Sequence, residues 1–96
     1  MPEIHIVRKH RLTARKAKAA AEEVAKSLRD EFSLNYEWRD VGTLVFRGIG
    51  VQGELALGRG EATIDVNLGL LLLPFRGSLE QEIHRYFDER FGGATG

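Results

Sequence analysis

Glu80, His84 and Asp88 stand four residues apart, a spacing that would set two carboxylates and an imidazole on one helical face, where they could ligate a divalent metal. No second histidine joins them at helical spacing, and the same residue types make an ordinary solvated helix face, so no metal is expected. Ser27, Ser33 and Ser78 have no base or nucleophile elbow in their surroundings, and Ser78 with Gln81 reads as a capping box at a helix start. Cysteine is absent, which removes thiol catalysis, thiolate metal sites and disulfides. The segment "GIGVQG", Gly48 to Gly53, has the glycine spacing of a dinucleotide loop, but it leads from strand to strand instead of strand to helix, so hairpin glycines are expected. No catalytic constellation and no cofactor site follow from these residues.

Two other groups could bind. Arg8, Lys9, Arg11, Arg15, Lys16 and Lys18, together with His10, form a stretch without an acid that could hold an anion or an acidic partner. Some of these charges oppose the dipole at a helix start, which is mildly unfavourable as structure alone. Solvated basic residues on a strand and loop are the plainer reading. No aromatics are interleaved for stacking, so nucleic acid is not expected. Tyr36 and Trp38 could stack a ligand, although core packing suits their place on the apolar side of a strand better.

The elements that must position these groups follow from hydrophobic periodicity. Ninety-six residues make one domain, and fourteen basic residues balance fourteen acidic ones, so no global field draws the chain to polyanions. Ile4 and Ile6 mark a short first strand. From Thr13, a natural N-cap, Ala17, Ala20, Ala21, Val24, Leu28 and Phe32 recur at helical spacing until Ser33–Asn35. Period-two patterns at Tyr36–Trp38, Leu44–Phe46, Val51–Leu57 and Ala62–Leu70 give four strands. The breaks "DVG", "GIG" and "GRG" suit hairpin turns with positive φ. A second helix begins at Ser78 and buries Leu79, Ile83 and Phe87, with Phe91 either joining that stripe or opening the frayed tail 91–96. The expectation is a two-layer α+β domain, order β-α-β-β-β-β-α, in which an antiparallel sheet of about five strands carries both helices on one face. The pairing of the first strand stays open.

The stretch "NLGLLLLPFRGSLEQEI" fits this scheme least well. It is too short to span a bilayer, and the N-terminus carries no signal-peptide run. Continued alternation after Asn67 turns Leu68, Leu70 and Leu72 inward and Leu71, Leu73 and Phe75 outward, with Pro74 ending the ladder. An exposed apolar patch on a small chain usually marks a partner surface. A homodimer through Leu71 and Leu73 is expected, with a loop of the chain itself, another protein, or a lipid or polymer surface as competing cover.

Taken together, "IHIVRKHRL", the alanine-rich helix, "NYEW", "LVFRGIGVQGEL" and "LGLLLLPFRGSLEQEI" resemble the small bacterial polyhydroxyalkanoic acid system proteins over nearly the whole chain. The resemblance implies association with polyhydroxyalkanoate synthesis and storage granules, cytoplasmic placement, and neither a catalytic activity nor an active site to carry over. It points to a non-enzymatic accessory acting through protein or granule-surface contacts. The alternative is a carrier of acyl or lipid-like ligands in a pocket between helices and sheet, lined by Tyr36 and Trp38.

Overall fold

The computed structural model describes residues 2–91. In chain order the elements are β1 (Ile4–Lys9), α1 (Ala14–Phe32), β2 (Asn35–Asp40), β3 (Thr43–Gly48), β4 (Val51–Gly58), β5 (Glu61–Leu68), a 3-10 helix (Leu70–Phe75) and α2 (Arg76–Arg90). The α+β order expected from periodicity is present, and the antiparallel sheet has five strands in the order β1-β5-β4-β3-β2. β2 to β5 form the meander. β1 closes against β5, with Ile4 opposite Val66 and Ile6 opposite Ile64.

Both helices cover one sheet face. α1 starts where the Thr13 hydroxyl accepts the Lys16 amide at 3.2 Å and ends where Ser33 turns left-handed at φ 58, its amide donating to the Arg29 carbonyl. Its buried stripe is mostly alanine, with Val24 and Leu28, and small side chains let the helix lie close to the strands. α2 runs antiparallel to it, since Glu31 meets Tyr86 while Glu23 faces Arg90. Between the layers lie Leu44, Phe46, Leu55, Ile64, Val66, Ile83 and Phe87, all buried. Phe91, which the sequence left open between the apolar stripe of α2 and the head of a frayed tail, is fully buried and packs edge-on against Phe87 and tilted against His10. Residues 92–96 lie outside the described residues.

The three hairpin breaks use different devices. Gly50 and Gly60 take positive φ (78° and 72°), a left-handed conformation that glycine adopts without a Cβ penalty. Gly42 does not; there the Asp40 carboxylate accepts the Gly42 amide at 2.9 Å, next to a register shift between Trp38 and Asp40. The glycines of "GIGVQG" are thus structural. Besides the turn at Gly50, Gly48 leaves room for Leu34, and Gly53 leaves room for the Phe46 ring and the Asp65 carbonyl.

The main departure from simple alternation follows Asn67. β5 stops at Leu68, which pairs with Val51, the first residue of β4, while β1 has already run out opposite Val66. With no neighbour on either side, the ladder cannot continue. The Gly69 amide makes one last bond to the Gly50 carbonyl at 2.7 Å, and the chain then winds into the 3-10 helix, with Pro74 inside it instead of at a strand end. That helix feeds directly into α2 at Arg76. The position preceding α2 is Phe75 and Ser78 caps nothing, so the expected Ser78–Gln81 capping box does not form.

Two glycine substitutions separate space from entropy. A Cβ on Gly53 would come within 2.4 Å of the Asp65 carbonyl and 2.8 Å of Phe46, whereas one on Gly77, in the first turn of α2, meets nothing within 4 Å. Gly53→Ala should destabilise by about 1–3 kcal/mol and Gly77→Ala stabilise by about 0.5–1 kcal/mol. Thermal midpoints moving in opposite directions would bear this out; a neutral Gly53→Ala would refute it.

Candidate functional site

The 3-10 helix gives the molecule an apolar end. Leu70 is 83% exposed, Leu71 88%, Phe75 60% and Leu73 38%, and Ile49, in the turn between β3 and β4, is fully exposed. Leu71, Leu73 and Phe75 are exposed as expected from the sequence. Leu70, expected inward, is not, because a 3-10 turn replaces the strand that would have aimed it at the core. Leu72 does face inward and packs on the core.

Beneath this end lies an apolar crevice. Its outer part has a volume of about 430 Å³ and runs between Phe32 at the end of α1, Leu68, Leu72 and Phe75, and Leu79 of α2. An inner chamber of about 230 Å³ shares Phe32, Leu72 and Leu79, reaches the buried side chains of Leu28, Phe46 and Ile83, and extends to the exposed Ile49. Ser78, Glu31 and Glu82 are the polar residues of the outer part. The Tyr86 hydroxyl donates to Glu31 at 2.7 Å, and burial, reinforced by that carboxylate, pushes the phenol up to about 12, so it stays a donor. Glu82 is bonded to Arg85, which holds its carboxyl below the ordinary value.

Tyr36 and Trp38 do not line this crevice. They sit half-buried on the edge strand β2, where the indole donates to Glu22 Oε1 at 2.8 Å and the phenol to Glu22 Oε2 at 3.2 Å. Lys18 lies over the indole at 5.0 Å and Arg29 over the phenol at 5.8 Å. The indole bond, more than the phenol and the nearby lysines, holds the Glu22 carboxyl below its ordinary value despite partial burial. These aromatics clamp the edge strand to α1 and do not face the crevice.

The basic stretch is divided by the fold. Arg8 is engaged by α2, donating to Asp88 at 2.9 Å and to His84 Nδ1 at 3.2 Å, so a guanidinium stands where Glu80, His84 and Asp88 would have held a cation. Among the described residues no group of side chains is arranged to hold a metal ion. Lys18 covers Trp38, while Lys9, Arg11, Arg15 and Lys16 remain exposed around the start of α1. His10 is buried, its Nδ1 accepting the Leu12 amide at 3.0 Å.

On the open sheet face, His5 is bonded across strands to Asp65, and Arg39 pairs with Glu54 at 3.2 Å, beside a shallow polar basin of about 330 Å³. The His5–Asp65 pair was invisible in the sequence because it depends on the register of β1 against β5. No helix among the described residues is long and apolar enough to cross a membrane.

The residues that form this sheet, both helices and the apolar end fall within a match to a family model. The model described as "Putative polyhydroxyalkanoic acid system protein" matches residues 4–91, and the chain belongs to that family. No curated protein and no solved structure matches it.

Glu22 supplies a pH-dependent test of the clamp. Its folded pKa lies below the ordinary 4.5, so its stabilisation is present above that value and lost as pH falls through the folded pKa. Glu22→Gln should cost roughly 0.5–1.5 kcal/mol near neutrality, screening by solvent included. The difference from wild type should shrink toward acid. Urea unfolding followed by Trp38, the sole tryptophan, measures it; a pH-independent difference would contradict the charged clamp.

Proposed function

We propose that the protein is a non-catalytic, cytoplasmic accessory of polyhydroxyalkanoate storage granules that holds to the polyester surface through its apolar end. The observation that carries this reading is the cluster of Ile49, Leu70, Leu71 and Phe75, exposed together at one end of a member of the polyhydroxyalkanoic acid system family. Full burial of one such side chain stabilises by roughly 1.5–3 kcal/mol. Several together offset part of the cost of immobilising a small protein at a surface. Leu70 and Leu71 stand almost clear of the surface. A soft polymer can close around such side chains, whereas a second copy must offer a matching depression. A homodimer through Leu71 and Leu73 is therefore the competing use of the same residues.

The non-enzymatic part of the reading is supported by the setting of the histidines: His5 is bonded to Asp65 on the open face, His84 to Arg8, and His10 is buried in the core. The remaining exposed bases lie near the other end of α1, which at about 1.5 Å per residue is roughly 28 Å from the apolar end. Lys9, Arg11, Arg15 and Lys16 would then face away from the polymer, where an acidic granule-bound protein could reach them.

Leu70→Glu combined with Leu71→Glu should abolish co-sedimentation with isolated granules while leaving the thermal midpoint nearly unchanged, since neither side chain packs in the core. Sedimentation velocity at tens of micromolar separates the competitor. A wild-type dimer that the double variant dissolves, with granule binding equal in both, would overturn the surface reading.

A further inference from the structure

The exposed cluster accounts for contact with a surface, but the crevice behind it is not needed for that contact. Its outer part, about 430 Å³, falls within the range of small-molecule sites, and its inner chamber, about 230 Å³, exceeds the ~150 Å³ apolar cavity that stays dry and takes up benzene. Phe32, Leu72 and Leu79 line both parts, so the two form one path from the rim to the centre of the helical layer. The inner lining is hydrocarbon. Every side chain that lines it is apolar, so an aliphatic or aromatic group fills it best.

The rim adds a charge constraint. Glu31 and Glu82 both line the mouth, and Arg85, the cation bonded to Glu82, is shared with Glu89 at 3.8 Å. An entering carboxylate would meet like charge from both. A neutral head group would not, and a hydroxyl there could donate to a carboxylate oxygen. Ser78, whose hydroxyl caps no amide of α2, stands at the same mouth and can donate to a carbonyl.

We propose that this crevice binds a single uncharged aliphatic chain carrying a hydroxyl and an ester, with the hydrocarbon between Phe32, Leu72 and Leu79 and the hydroxyl at Glu31 and Glu82. That the chain is a hydroxyacyl ester rests on the function proposed above; that it is uncharged rests on the rim alone. The site discriminates against the free hydroxy acid, the species that hydrolysis of such an ester would release.

Isothermal titration at neutral pH with methyl 3-hydroxyoctanoate and, separately, with 3-hydroxyoctanoate tests this. The ester should bind saturably, one per chain, and about tenfold or more tighter than the anion, a difference of about 1.4 kcal/mol. Glu31→Gln with Glu82→Gln should bring the anion to within about threefold of the ester by removing the repulsion. Leu79→Phe, which fills the junction of the two parts, should weaken the ester about tenfold or more with no fall in thermal midpoint. Equal affinity for ester and anion in the wild type, no saturable ester binding, or unchanged ester binding by Leu79→Phe would each overturn the proposal. Leu70→Glu with Leu71→Glu leaves the crevice lining intact and should keep wild-type ester affinity. Loss of granule binding in that variant and loss of ester binding in Leu79→Phe therefore report on separate readings.

Discussion

Where β5 loses its neighbours determines most of what is distinctive in this molecule. It is flanked by β4 on one side and β1 on the other, and both partners end within two residues of Leu68. A strand that outruns its partners would expose unpaired amides and carbonyls along an apolar sequence, which is the condition for aggregation. Winding into a 3-10 helix satisfies the amides locally instead. The consequence is a short turn of leucines projecting beyond the sheet, and an α2 whose start is fixed by that turn and not by a side-chain cap. The exposed cluster and the crevice behind it both follow from this one change of direction.

The opposite edge is held by a different interaction. β2 has a neighbour only in β3, and its Tyr36 and Trp38 reach past the edge of the core toward α1. Glu22 receives both polar hydrogens, so two half-buried aromatics gain the partners that burial of a phenol and an indole requires. Lys18 and Arg29 over the rings extend the same attachment. The edge bearing the most conspicuous aromatics is therefore the more firmly closed one, and the end bearing plain leucines is open.

This inversion explains which parts of the structure could be read from the sequence. Thr13, Ser33, Gly50 and Gly60 act on residues within a few positions of themselves, and their effects were legible from local pattern. So were the alternating strands and the sheet's apolar face. Four consecutive leucines satisfy strand and helix periods alike, so Leu70–Leu73 could be placed only by knowing where β1 and β4 stop, which is long-range information. Their exposure was legible in part, because Leu71, Leu73 and Phe75 were marked outward for the wrong geometric reason. The Arg8–Asp88 and Glu22–Trp38 contacts join residues far apart in the chain, and only the docking of helices on sheet reveals them. The crevice had no signal in the sequence: apart from Phe75, the apolar residues named in its walls read as core.

Leaving that crevice open has a physical cost. An enclosed apolar void the size of the inner chamber would destabilise by roughly 5 kcal/mol at about 24 cal/mol per Å³. That is comparable to the entire net stability of many small domains, which lies at about 5–15 kcal/mol. Opening through the outer groove lowers the figure, but the water admitted finds no partners on Leu28, Phe46 or Ile83 and gains little by entering. Closing the gap needs no new fold, since a bulkier side chain at Leu72 or Leu79 would reach into it. A ligand that binds only the folded chain recovers the same stability by mass action, in proportion to its concentration over its dissociation constant. An apolar space with acidic groups at its mouth is thus a packing cost that binding of the proposed uncharged chain would offset.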